Sequence, residues 1–413
     1  MPIASSSTPV RTSSRIRDVR YEIRGELAQR ALELEAAGRE VIKVNIGNPG
    51  AFGFTVSDHV RETIERNLAR SETYCHQKGI MPAREAIVAQ HREHGVTHSH
   101  VDRIFIGNGV SELIDLSLRA LLDNGDEVLL PSPDYPLWSA ATVLNGGRPV
   151  YYDCPPERAH VPDPAQIEAL VTPRTRAIVT INPNNPTGAV YPREVLQAIV
   201  AIAERHHLVL MSDEIYDEIV YDKAEFVPLA RLAGDVACLT FDGLSKVQRA
   251  CGYRVGWLSL TGAPVQLEEI ERGLDLLASL RLCANVPGQW AIAPSLQGED
   301  TISPLTAAGG RLHESRRAVL EHCAQSSYLD VVAPMGALYA FPRVRLPDFD
   351  DDRFALELLE RAHVLVVPGS GFNLSTRNHF RVTLLPHADE LRDVFVRIEA
   401  VLHTLAASQR HVA

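Results

Sequence analysis

The stretch RAIVTINPNNPTGAVYPREVLQAIVAIAERHHLVLMSDE, Arg176–Glu214, decides the fold. It opens on a short apolar run, AIVTI, bounded by an Asn/Pro-rich turn signal, which reads as a strand. REVLQAIVAIAERHH follows with apolar residues at Leu196, Ile199, Val200 and Ala203, the spacing of a helix with one buried face. LVLM is a second unbroken apolar run, closed by the polar Ser212, Asp213 and Glu214. Strand, helix and strand in succession, with both strands apolar on each face, describe parallel strands covered by helices on two sides.

The same alternation extends from about Asp58 to Thr261. RIFIGN, EVLLPS, CLTFDG and RVGWLSL are further short apolar runs, and SELIDLSLRALLDNG is another helical pattern between them. After the long helical stretch PVQLEEIERGLDLLASL the pattern changes. GGRLHESRRAVLEHCAQ, ALYAFPRV, VLVVPG, HFRVTLL and ADELRDVFVRIEAVLHTL describe a smaller α+β unit. The expected division is a flexible tail over 1–15, a segment over 16–57 that returns to pack on the small domain, a large α/β domain over 58–290 and a small domain over 291–413.

A chain of 413 residues suits one large domain plus a smaller one. The net charge of −11 excludes nucleic acid as the main partner, because phosphate backbones demand clustered cations. No apolar run reaches the length of a membrane span, and MPIASSSTPVRTSSR lacks the apolar stretch of a secretory signal. A cytoplasmic location is expected, with a mitochondrial-type address as the alternative reading of that start. Cys75, Cys154, Cys238, Cys251, Cys283 and Cys323 are scattered without a CxxC pair, as buried thiols in a reducing compartment would be. His91, His94, His98 and His100 fall together in HREHGVTHSH, which reads as a solvated surface segment, and no metal site is expected.

Ligands of open parallel sheets bind beyond the carboxyl ends of the strands, and unusual polar residues collect at such ends here. RIFIGNGVSE turns from strand to helix at Gly109, Val110 and Ser111. INPNNPTG brings Asn182, Asn184 and Asn185; LMSDEIY brings Asp213, Glu214 and Tyr216; FDGLSK delivers Ser245 and Lys246, with Arg254 in the GYRVGW that follows. Pyridoxal phosphate requires a lysine amine for its Schiff base, a carboxylate at its ring nitrogen and an anion cradle for its phosphate. Lys246, Asp213 and the free N–H groups of a helix opening at Gly109–Ser111 supply that set, with Ser245 and Arg254 as further phosphate ligands. Desolvation and the like charge of Arg254 would favour the neutral amine that Lys246 needs as nucleophile and base. Asn185 and Tyr216 can hold the ring's phenolic oxygen, and Tyr135 in SPDYPLW can stack on its face or pack in the core.

In combination NPNNPTG, SDEIY, SK with GYRVGW, and FRVTLLP resemble the fold-type I, class I/II aminotransferases, and the likeness covers nearly the whole chain. NIGNPGAFGF, GNGVSELI, PSPDYPLW, RLCANVP and GALYAFP make it most similar to the bacterial glutamate–pyruvate (alanine) type. The resemblance implies a mostly parallel seven-stranded sheet and transfer of an amino group from a small L-amino acid, alanine or glutamate, to a 2-oxo acid. It implies that Lys246, Asp213 and Tyr216 are catalytic, and that Arg381 clamps the substrate α-carboxylate with Asn185 and the Gly47 backbone. Arg377, four residues before Arg381, competes for that role. It implies also that Tyr74 reaches the cofactor phosphate of a neighbouring subunit in a homodimer. A β-lyase or amino-acid oxidase on the same scaffold is the alternative, since a cofactor site does not by itself select the bond that breaks, as is an aminotransferase specialised for a biosynthetic pathway. Cys75, His76, Gln77, Asp242, Val247 and Gln248 depart from the pattern of the family, and are expected to surround the pocket.

Overall fold

The computed structural model describes residues 10–19, 21 and 25–410. Residues 1–9 of the expected tail lie outside the described residues. Ser14–Arg17 makes one helical turn, and Arg15 donates to the Leu144 carbonyl and to Asn124 Oδ1.

After strand β1 (Ile42–Lys43), the central sheet is built from β2 (Ile104–Gly107), β3 (Glu127–Ser132), β4 (Arg148–Asp153), β5 (Thr175–Ile181), β6 (Val209–Asp213), β7 (Cys238–Gly243) and β8 (Gly256–Thr261). Its seven strands lie in the order β2-β8-β7-β6-β5-β3-β4. All neighbours are parallel except β8, which runs antiparallel to both β2 and β7. Side chains alternate between two cores, as the pleat requires. Ala177 and Val179 of β5 face Leu113, Ile114 and Leu118 of the helix Val110–Leu121, whereas Ile178 faces Leu196 and Ile199 of the helix Arg193–His206. Each fully buried leucine or isoleucine in these layers contributes about 1.5–3 kcal/mol. The helix Arg193–His206 stops at His207, whose φ of 53° is left-handed and cannot continue it. Strand β4, RPVYYD, is not among the apolar runs of the sequence. As the outermost strand it exposes Arg148 and Asp153 and needs no continuous apolar face.

The C-terminal part is built on β9 (Leu329–Asp330), β10 (Tyr339–Ala340), β11 (Arg343–Val344), β12 (Val364–Leu365), β13 (Val367–Pro368) and β14 (Phe380–Thr383). An antiparallel sheet β10-β14-β13 packs with the helices Arg311–Gln325, Asp351–Ala362 and Ala388–Arg410 around Leu312, Phe354, Leu358, Phe380 and Phe395. From the N-terminal side, β1 pairs in parallel with β12, and Ala31 of the helix Glu26–Ala36 packs against Leu359.

The histidine-rich stretch departs from its reading as a solvated segment. His98 and His100 are exposed, but His91 is buried, with Nδ1 at 2.9 Å from Ser99 Oγ. Burial pushes its imidazole down to about 4, so it stays neutral. It sits in the last turn of the helix Met81–Glu93, on the face turned to the protein interior.

Candidate active site

A cavity of about 980 Å³ opens where β5, β6 and β7 end and the helix Val110–Leu121 begins. Strand register puts Ile181 beside Asp213 and Asp213 beside Phe241, so the residues that follow these strands emerge at one edge. Strand β8 runs the other way, so its beginning lies at that edge, and Arg254, two residues before it, arrives there too. Asn185, Asp213, Tyr216, Ser245, Lys246 and Arg254 all line the cavity. Val110, Ser111 and Tyr135 line it from the side of the helix, and Gly47 and Arg381 from the side of the small sheet.

Glycine is required at two places on the rim. Gly109 caps the helix with φ +86°, and a Cβ there would overlap the Arg254 guanidinium. A Cβ on Gly256 would lie 2.6 Å from the Val110 nitrogen. Backbone N–H groups and a guanidinium are therefore brought together with no side chain between them, an arrangement suited to a phosphate.

Lys246 is half-buried and donates from Nζ to the Gly47 carbonyl at 2.8 Å. Arg254 is exposed and donates to the carbonyls of Cys251 at 3.0 Å and Asn108 at 3.4 Å. Arg381 is only 2% exposed. Its Nη1 donates to Asn185 Oδ1 at 2.8 Å and its Nη2 to the Asn45 carbonyl, while Nε has no partner among the described residues. The rings of Tyr339 and Phe372 lie 4.2 and 4.7 Å from its Cζ. Among the described residues none of Lys246, Arg254 and Arg381 forms an ion pair with a carboxylate. Arg377 is different: Asp350, Asp351 and Asp352 hold it at 2.9, 3.0 and 2.6 Å, which leaves it no free fork for a substrate.

Asp213 is the carboxylate of the cavity. Burial pushes it up to about 6, opposed by a hydrogen bond from Trp138 Nε1 at 3.0 Å and by the Lys246 charge. Tyr216 donates to Tyr339 Oη at 3.1 Å. Glu214, grouped with Asp213 at the sequence level, points to the opposite side of the sheet. It accepts from Ser212 Oγ at 2.7 Å and the Leu229 N–H at 2.9 Å, and it lines a separate cavity of about 20 Å³ with His91, His94, Asp217 and Asp242. The alternation of a strand sends consecutive residues to opposite faces.

Tyr74 is 78% exposed and does not line the cavity of its own subunit. Of the residues that depart from the family pattern, none of Cys75, His76, Gln77, Asp242, Val247 and Gln248 lines it either. Trp138 and Tyr339 join the site unannounced by the sequence, although both stand inside motifs of the family, PSPDYPLW and GALYAFP. A tyrosine or tryptophan in an apolar run carries no signal of its polar tip.

Unpaired cations around a single carboxylate, with a helix N-terminus cleared by Gly109, fit pyridoxal phosphate and a carboxylate-bearing substrate. Residues 39–398 match the family described as aminotransferase class I and II. The chain belongs to the class I and II aminotransferases. This aminotransferase is 46% identical over 390 residues to the alanine aminotransferase of Mycobacterium tuberculosis, which covers 94% of this chain and 91% of that one. It is 45% identical over 387 residues to the glutamate–pyruvate aminotransferase of Escherichia coli, covering 93% and 96% of the two chains. An Escherichia coli aminotransferase of solved structure superposes with a TM-score of 0.94 at 44% identity, over 96% of this chain and 99% of that one. The aminotransferase is a pyridoxal-phosphate enzyme with the α/β architecture of fold type I.

Proposed function

We propose that this aminotransferase moves the amino group of alanine or glutamate to 2-oxoglutarate or pyruvate by a ping-pong mechanism. The observation that carries the substrate side is Arg381: a buried guanidinium with no carboxylate partner among the described residues, lining the same cavity as Lys246. A buried, unpaired cation is costly, and the α-carboxylate common to amino acids and 2-oxo acids is the missing partner. The names of the relatives support alanine and glutamate within that class.

Pyridoxal phosphate, when bound, supplies an electron sink for the pair left at the substrate Cα. The chain's own groups do the rest. Arg381 and Asn185 hold the α-carboxylate, and the Gly47 carbonyl, which now receives Lys246 Nζ, steadies that amine at the cavity wall. Lys246 Nζ is placed to take up the substrate Cα proton and to give it back. Asp213 would hold the proton on the ring nitrogen. Asn185 and Tyr216 would hold the phenolic oxygen, and Tyr135 would cover the ring face. Gly109, Val110, Ser111, Ser245 and Arg254 would receive the phosphate. We assign Tyr74 to the phosphate of a second subunit, which explains its exposure and makes a homodimer the working unit. The segment 16–57, the large domain 58–290 and the small domain 291–413 then meet around the substrate, in a cytoplasmic enzyme. No described helix is long and apolar enough to cross a membrane.

A single-turnover assay tests the proposal. With L-alanine or L-glutamate alone, the loaded enzyme should release one equivalent of pyruvate or 2-oxoglutarate per subunit and no ammonia. Release of ammonia, or consumption of oxygen, would overturn transamination as the outcome. Release only with other amino acids would overturn the choice of substrate.

A further inference from the structure

Asp213 has a buried partner that the mechanism above does not use. Trp138 is fully buried in the helix Leu137–Leu144, and its indole Nε1 donates to Asp213 Oδ2 at 3.0 Å. Among the described residues the other oxygen, Oδ1, has only the Ile215 N–H, at 3.5 Å. The indole is held in turn: its ring meets Phe241 edge-on, with centroids 5.2 Å apart and planes at 87°. Phe241 is the residue of β7 that stands beside Asp213 of β6. The donor and the carboxylate are therefore fixed by the same pair of strands.

An indole N–H can only donate. It is satisfied by a carboxylate oxygen and loses its partner when that oxygen carries a proton. We propose that Trp138 is a positioning residue for Asp213, fixing the plane of its carboxylate and favouring its charged form, so that the proton of the pair stays on the cofactor's ring nitrogen. This rests on the assignment of Asp213 to that nitrogen. Lys246, across the cavity, acts in the same direction through its charge, and Glu214 lies on the far face of the strand. Without the indole, the carboxylate becomes the stronger base, competes for the ring proton and weakens the electron sink.

The chain has three tryptophans, and the other two indoles are distinguishable. Trp290 Nε1 donates to Ser71 Oγ at 3.1 Å, and Trp257 Nε1 is buried without a partner among the described residues. Indole N–H signals of the full-length, ¹⁵N-labelled protein, freed of pyridoxal phosphate, should show one that moves with pH near 6, the value to which burial pushes Asp213. Asp213→Asn should abolish the movement. If no indole follows pH, or if one still follows it in Asp213→Asn, the proposal falls, whatever Asp213 does in the loaded enzyme. Reloading with pyridoxal phosphate should remove the midpoint, because the ring nitrogen keeps the carboxylate charged. A midpoint that survives reloading would overturn the Asp213 assignment while leaving the Trp138–Asp213 contact intact. Trp138→Phe should lower kcat about tenfold, the loss of one charge-assisted hydrogen bond, with KM for the amino donor within twofold. A fall in kcat/KM from KM alone would place Trp138 in substrate binding and refute the positioning role.

Discussion

Arg381→Lys keeps a cation at the proposed carboxylate anchor and removes its fork. The guanidinium is steadied by Asn185 Oδ1 at 2.8 Å, by the Asn45 carbonyl and by the faces of Tyr339 and Phe372. A lysine ammonium is a point charge on an unforked stem, and it cannot keep both these anchors and two parallel bonds to a carboxylate. At least one charge-assisted hydrogen bond to the substrate is lost, about 1.5–3 kcal/mol. That corresponds to a roughly 10- to 150-fold weaker binding. Both the amino donor and the 2-oxo acceptor carry the α-carboxylate, so their KM values should rise together. An amine that lacks the carboxylate has nothing to lose, and its slow reaction should stay within twofold of the parent rate. Steady-state kinetics with donor, acceptor and amine provide the check. A KM that rises for neither natural substrate, or for only one of them, would refute Arg381 as the shared anchor.

Lys246→Ala should leave a folded protein, since among the described residues Lys246 bonds only the Gly47 carbonyl, but one that forms no Schiff-base absorbance with pyridoxal phosphate and turns over at least ~10³-fold more slowly; circular dichroism and the visible spectrum check both parts. Gly47→Ala should fail differently, because its Cβ would overlap Tyr339 Oη and lie 2.9 Å from Cζ. Overpacking of this kind costs about 1–3 kcal/mol, and the thermal midpoint should fall along with activity. Glu214→Gln should stabilise the protein in a pH-dependent way. Burial pushes the Glu214 carboxyl from 4.5 up to about 7, so between those values the folded chain keeps a proton that the unfolded chain has released. The stability from this group is complete below about pH 4.5 and is lost as pH rises through about 7. Glutamine keeps the Oε1 acceptor for Ser212 and Leu229 and carries no charge, so urea unfolding should show a gain of roughly 3 kcal/mol at pH 8 and none at pH 4.5.

The sheet was legible wherever a strand is covered on both faces, as in AIVTI and LVLM, because such strands must be continuously apolar. RPVYYD escaped because an outermost strand is free of that demand. The cavity side of the sheet was legible for a related reason: strand ends are where a parallel sheet must place its polar groups, and Lys246, Asp213 and Asn185 line the cavity there. Errors arose where one more step of geometry was needed. Asp213 and Glu214 are neighbours in sequence, yet they face opposite sides of the sheet. His91 is hidden by the packing of its helix, which its histidine-rich surroundings do not reveal. Trp138 lies 75 residues from Asp213, and Tyr339 lies 123 residues from Tyr216. Pairings at that distance are made by the fold, and local spacing holds no trace of them.

The antiparallel strand β8 has a consequence for how the enzyme is made. With Gly256–Thr261 in place between β2 and β7, the large sheet is closed, and Asp213, Lys246 and Arg254 have all been synthesised. The anchor Arg381 arrives only with β14, after the helices Pro264–Leu280 and Arg311–Gln325. Domains generally fold in the order in which they leave the ribosome. On the proposed roles, a nascent chain therefore carries the lysine, the carboxylate and the phosphate arginine of its large domain well before it carries the guanidinium that completes the substrate site.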